Sequence, residues 1–467
     1  MTMRRKGTFA FAAVFMAAMS VYAGTLDNAW LKGTTNKSPI EYKPGEEMVF
    51  TLEPVGVQGP VPEGEYSLWW HRSDDYGNFE EGKVPFTGKP FVYKTSLDKP
   101  GFVRLVAYVL DKDGKRFTKK FTGDATTPEG KKAMNAFERT KKNVFFDGGA
   151  GVDIDKLASH KEPADFDAFW AKQFERLDKV PIKLLEKVEI PQRNKKARLY
   201  AVSIACADGI RPVTGYLSIP TAVDEGKTFP AHLETHGYSG YNPDFHQPGD
   251  WAREWEIVLN INAHGMKLPA FGATKADLDQ LRSSIRSNGC SYAFDPKQNS
   301  DPETAYFNGM VLRVKRALQF LKTVKGWNNK DLRASGGSQG GLQTIWAAAC
   351  GEGVTLANPA ITWCCDMYSH TERLAKRASG DGWYIQWTEA MGYYDAVNYA
   401  KRIPTTCRTN ITRAGLGDYC CPPMGLAKLY NNIPGDNKSI KWVQGSEHGY
   451  VPPEEYPGRD FWLGKRP

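Results

Sequence analysis

Gly336-Gly337-Ser338-Gln339-Gly340 places a serine hydroxyl among glycines, after a strand-like run and before an alanine-rich one. This is the G-x-S-x-G pattern of a sharp strand-to-helix turn, in which the serine sits in strained backbone geometry. Larger side chains two residues to either side would collide with the neighbouring elements, so Gly336 and Gly340 are the glycines the turn requires. A serine hydroxyl is a poor nucleophile until a base removes its proton, and the base needs an acid to hold its tautomer. In this setting the order along the chain is serine, then Asp or Glu, then histidine. Only His370 and His448 follow Ser338. His448 closes the strand-like "SIKWVQGSEHG", whereas His370 lies in "WCCDMYSHTER", a loop-to-helix segment. His448 is therefore the candidate base. Asp418 ends the strand "RTNITRAGLG" in the turn "GLGDYCCPP" and is the candidate acid. Asp366 and Asp436 are the alternatives, and neither directly follows a convincing strand. An oxyanion needs two backbone N–H groups, one from the residue after the nucleophile and one from an earlier strand end. Gln339 supplies the first by position, and Tyr238, after His236-Gly237, the second.

The elements that would hold these residues follow from periodicity. From Lys187 onward, strand-like and helix-like segments alternate: "RLYAVSIA", "VTGYLSIP", "FPAHLETHG" and "EIVLNINAHG" read as strands. "YFNGMVLRVKRALQFLKTV" reads as an amphipathic helix and "QGGLQTIWAAAC" as a helix of small residues. Such alternation predicts an α/β domain whose mostly parallel sheet is covered on both faces. "PADFDAFWAKQFERL" precedes it as a helix, with Asp165 as cap. Residues 24–147 differ. Met48, Phe50 and Leu52 alternate, Tyr66, Leu68 and Trp70 share a face, and "VPEGE", "DDYGN" and "DKDGK" mark turns. A small antiparallel, immunoglobulin-like β-sandwich is expected there. The glycine-rich "FFDGGAGVD" reads as the break before the α/β domain of residues 148–467. Nothing before it looks catalytic, so a chain starting near Val152 is expected to hydrolyse a small ester. Trp69, Trp70 and Tyr76 read mainly as packing residues.

The 467 residues carry 41% apolar and 24% charged side chains, a composition that excludes disorder. Residues 1–23 join Arg4, Arg5 and Lys6 to a short apolar run and a small-residue cleavage site, the pattern of a secretory signal peptide. Secretion to the medium or the periplasm is expected, with no stable membrane insertion after cleavage. Cleavage removes three cations from a formal charge of +8, leaving +5. No aromatic-interleaved basic motif points to nucleic acid. The eight cysteines permit disulfides, but there is no C-x-x-C pair, so no structural metal site is expected, and neither a metal nor an organic cofactor is called for.

Taken together, "HGYSG", "GGSQGG", "GLGDYCCPP" and "SEHG", with "FWAKQ" and "VTGYLSIP" upstream, resemble the acetyl xylan esterase and cephalosporin C deacetylase family of α/β hydrolases. The resemblance covers about residues 160–467. It implies Ser338 as nucleophile, Asp418 and His448 as its partners, and Tyr238 and Gln339 as oxyanion donors. It also implies an acetylated oligo- or polysaccharide as substrate. Where cytoplasmic members carry Arg-Gly-Gln, this chain has His264-Gly265-Met266. His264 reads as a packed histidine. The rival readings are a peptidase on the same fold and a carbohydrate-binding protein without activity.

Overall fold

The computed structural model describes residues 26–121, 123–138, 142–238, 252–370, 383–454 and 456–467. Residues 1–23, expected as a signal peptide, lie outside them. Seven strands come first: β1 (Trp30–Thr35), β2 (Met48–Val55), β3 (Tyr66–Asp74), β4 (Phe79–Pro85), β5 (Phe91–Thr95), β6 (Gly101–Asp111) and β7 (Phe145–Val152). They form two antiparallel sheets, β1-β2-β5 and β4-β3-β6-β7. The alternation read from the sequence decides which side chains turn inward. Leu31, Met48, Phe50, Leu52, Leu68, Leu105 and Phe146, drawn from both sheets, share one buried cluster.

The glycine-rich stretch expected as a break is strand β7, buried along its whole length. Its glycines answer to close contact rather than to a turn. A methyl carbon on Gly149 would lie 2.4 Å from the Val103 carbonyl oxygen and 3.0 Å from that of Leu416. Pattern reading fails here because glycine is depleted in ordinary strands, and a strand pressed between two backbones is the exception.

The remaining strands are β8 (Leu184–Ile190), β9 (Ala197–Ile204), β10 (Val213–Pro220), β11 (Phe229–Thr235), β12 (Ile257–Ile261), β13 (Trp327–Gly337), β14 (Leu356–Ala360), β15 (Arg408–Gly415), β16 (Lys438–Val443) and β17 (Asp460–Gly464). They form one ten-stranded sheet in the order β17-β16-β15-β14-β13-β11-β12-β10-β9-β8. The six strands from β12 to β16 pair in parallel, and antiparallel strands close both ends. Two helices, Tyr306–Leu321 before β13 and Gln339–Ala349 after it, pack on the sheet and on each other. The first is buried nearly all round, and even Arg316 is inside, donating to the Leu177 and Val180 carbonyls at 2.6 and 2.7 Å. Helix Phe166–Asp178 buries Phe166, Phe169 and Trp170 as its spacing predicts. Asp165 stands at its N-terminus without capping it, because its carboxylate accepts from the Tyr393 hydroxyl instead. All eight cysteines are free thiols.

Candidate active site

In a parallel sheet the carboxyl ends of the strands share one edge, where ligand sites gather. Tyr238 follows β11, Ser338 follows β13, Asp418 follows β15 and His448 follows β16, so all four emerge on that edge. Ser338 has φ 59° and ψ −120°, a conformation that non-glycine residues adopt at a cost of about 1–3 kcal/mol. Three bonds pin it there. Its N–H donates to the Ala360 carbonyl at 3.0 Å, and its own carbonyl accepts from Leu342 and Trp363, each at 3.1 Å. The flanking glycines are obligatory by contact. A methyl carbon on Gly336 would sit 2.3 Å from Thr235 Oγ1, and one on Gly340 would sit 2.7 Å from the Thr235 carbonyl oxygen. Gln339 opens the helix, so its N–H has no intrahelical acceptor and stands at the positive end of the helix dipole.

Asp418 is fully buried and splits its two oxygens. Oδ1 accepts from the Cys421 N–H at 2.9 Å, and Oδ2 pairs with His448 Nδ1 at 2.9 Å. In the neutral ring this bond keeps the proton on Nδ1 and leaves Nε2 with its lone pair. His448 is about one-third exposed. Among the described residues no hydrogen bond joins Ser338 Oγ to His448, and such contacts tighten in substrate complexes. Gly237 brings the β11 turn against Ser338, since a methyl carbon there would lie 4.0 Å from Ser338 Cβ.

Residues 154–463, well over half of the chain, match the family described as acetyl xylan esterase (AXE1). The chain belongs to that family. It is 26% identical over 295 residues to acetyl esterase Axe7A of Xylanibacter ruminicola, a match spanning 60% of this chain and 62% of that relative's length. Among solved structures, an acetyl xylan esterase from Paenibacillus sp. R4 aligns with TM-score 0.50 at 22% identity, over 63% of this chain and 93% of that one. Acetyl xylan esterase 1 from Thermoanaerobacterium sp. JW/SL YS485 aligns with TM-score 0.50 at 18% identity, over 65% and 94%. At these identities the two structures speak for the fold, an α/β hydrolase.

Within this family member the rival site residues go elsewhere. Asp366 is buried and takes an ion pair from Lys428 at 2.6 Å. Asp436 is exposed. His370 packs against the Tyr384 ring. His264 is fully buried, with Nδ1 at 2.8 Å from the Tyr306 hydroxyl, and burial first, then the Arg313 and Arg211 charges, push its pKa down to about 3. It stays a neutral packing residue.

The Asp418 turn rests on residues that no sequence motif advertised. Gln444, just past β16, accepts from the Gly149 N–H at 3.0 Å and donates to the Gly149 carbonyl at 2.8 Å. Arg104 grips Asp147 with two bonds of 2.9 and 2.6 Å and lies 4.2 Å over the ring of Tyr419, the residue after Asp418. Strand β7 is thus the floor of the turn that carries Asp418. Tyr292 and Phe294 are further residues that sequence reasoning missed, since "CSYAFDP" reads only as a loop. Tyr292 stacks on Tyr238 at 4.9 Å, and its hydroxyl donates to Gln339 Oε1, with the Tyr238 carbonyl as a second acceptor within reach.

Cys420 adjoins His448. Burial lowers the imidazole pKa, but the bonds to Asp418 and Cys420 outweigh it and carry the ring up to about 10. The Cys420 thiol moves the opposite way, drawn down by its bond to Cys421 and by the His448 charge.

Proposed function

We propose that this chain is an exported serine esterase that removes acetyl groups from carbohydrates. Ser338 Oγ attacks the ester carbonyl while His448 Nε2 takes its proton, and Asp418 stabilises the imidazolium that forms. The Tyr238 and Gln339 N–H groups receive the oxyanion. Collapse of the tetrahedral adduct breaks the bond to the sugar oxygen, which leaves with the proton from His448. Water then attacks acetyl-Ser338 with His448 again as base, releasing acetate. The observation that carries this reading is the buried 2.9 Å Asp418–His448 pair, on the sheet edge where Ser338 holds its strained turn. Family membership supports the ester chemistry, and the N-terminal pattern of residues 1–23 supports export. In the same reading an immunoglobulin-like sandwich, ending with strand β7 and not at residue 147, precedes the catalytic domain.

A small acyl group is supported by the aromatic wall. Trp383 lies 4.6 Å from the Tyr238 ring, Phe294 6.0 Å and Trp363 6.1 Å. Tyr384 packs on His370, and Trp387 on His160 and Tyr368. The test is acetate release from acetylated xylan by the mature chain and by Ser338→Ala. Loss of about three to six decades in rate is expected. A folded Ser338→Ala protein with undiminished release overturns the reading.

A further inference from the structure

The vicinal cysteines of "GLGDYCCPP" have no part in the chemistry above, yet the fold sets them beside His448. Cys420 Sγ, Cys421 Sγ and a ring nitrogen of His448 all lie within 4.8 Å of one another. The cysteines and the histidine are 27 and 28 residues apart in sequence and meet because β15 and β16 are neighbours. We propose that Cys420, Cys421 and His448 form a binding site for a thiophilic divalent cation of the zinc and cadmium class, and that occupancy silences the esterase.

Four features of the site suit such a cation. Two thiolates and an imidazole are the ligand set that soft and borderline cations select over calcium or magnesium. In a tetrahedral shell, metal–sulfur bonds of about 2.3 Å and metal–nitrogen bonds of about 2.0 Å put two sulfurs and a nitrogen about 3.5–3.8 Å apart. The present spacing therefore needs a closure of about 1 Å, within reach of a rotation of the half-buried Cys420. Asp418 already accepts from Nδ1 and so presents Nε2 as the coordinating atom, the carboxylate–histidine arrangement that orients metal-bound imidazoles. The same carboxylate fixes the Cys421 backbone N–H. Finally, two thiolates neutralise a divalent charge, so occupancy adds no net charge to the buried side of the site, where Cys421 lies. Binding releases two protons, from both thiols or from one thiol and the imidazolium, and takes up the Nε2 lone pair. Silencing thus rests on the proposed role of His448 as base, whereas binding does not.

The experiment titrates cadmium into the full mature chain, kept reduced with a phosphine. It follows the ultraviolet cadmium–thiolate absorbance alongside aryl acetate hydrolysis. One cadmium per chain is expected, with hydrolysis falling in step and returning on addition of EDTA. Cys420→Ser, on the accessible side of the site, should weaken binding by at least about tenfold. Cys421→Ser should do the same wherever it folds. No absorbance at micromolar cadmium, or unchanged affinity in folded Cys420→Ser, overturns the site. Stoichiometric absorbance with undiminished hydrolysis overturns the silencing and the role of His448 together. That result is distinct from failure of the Ser338→Ala test, which would strike the esterase reading alone.

Discussion

Gly417→Ala is the sharpest test of how the acid is held. Gly417 precedes Asp418, and its N–H donates to the Ser446 carbonyl at 3.0 Å. A methyl carbon there would lie 2.0 Å from the Asp147 carbonyl oxygen and 2.4 Å from its carbonyl carbon, both backbone atoms of β7. No side-chain rotation relieves that contact. Ordinary contact begins near 3.4 Å, so the acid turn and β7 must separate by 3.4 − 2.0 = 1.4 Å. Overpacking of this kind costs about 1–3 kcal/mol of stability, a loss that a chain of this size survives. Catalysis should suffer more, because a misplacement of about 1 Å is worth about a hundredfold in rate. Asp418 has no freedom to compensate, since one oxygen serves Cys421 and the other His448. With a small aryl acetate, kcat should fall about a hundredfold while KM changes little, because the substrate's contacts are untouched. Melting temperature measured in parallel establishes that the variant is folded. A folded Gly417→Ala enzyme with wild-type kcat would show that β7 does not position the acid.

The same floor predicts that a chain starting at Val152, stripped of β7, loses hydrolysis of small and polymeric esters alike, contrary to the expectation from sequence. Retained aryl acetate turnover would refute this. At the nucleophile turn, Gly336→Ala and Gly340→Ala should abolish turnover. Gly337→Ala should be tolerated, since its methyl carbon meets nothing closer than the Ala360 carbonyl oxygen at 4.0 Å; equal loss in all three refutes the contact argument. Asp418→Asn should cut kcat by about four decades. Asp366→Asn should instead cost about 3–5 kcal/mol of stability by stranding Lys428, and the reverse pattern would move the acid to Asp366. Because only neutral His448 accepts the serine proton, kcat/KM should rise with pH toward an inflection well above 6.5, the ordinary imidazole value. Cys420→Ser should move that inflection toward acid. The raised pKa also stabilises the fold fully below pH 6.5, and this contribution fades as pH climbs through the folded value near 10. A wild-type inflection at 6.5 would contradict the pairing.

Sequence alone carried what is local and periodic. Apolar alternation located the strands of both regions, and helical spacing located Phe166, Phe169 and Trp170. The required glycines marked the turn around Ser338, because that backbone admits no side chain at those positions. Chain order and strand ends singled out Asp418 and His448, since a residue just past a parallel strand must surface at the sheet's carboxyl edge. Periodicity says nothing about which surfaces meet. Strand β7 looked like a linker because its glycines serve contact with Leu416 rather than local conformation. Gln444, Arg104 and Asp147 looked like ordinary polar residues until tertiary packing set them under the acid turn. Asp366 and Asp418 were both plausible acids until Lys428 was found on one and His448 on the other. The vicinal cysteines became a cluster with His448 only through the pairing of β15 with β16. Distances between residues far apart in the chain belong to the tertiary structure, because they are set by packing between elements and not by the sequence period within any one of them.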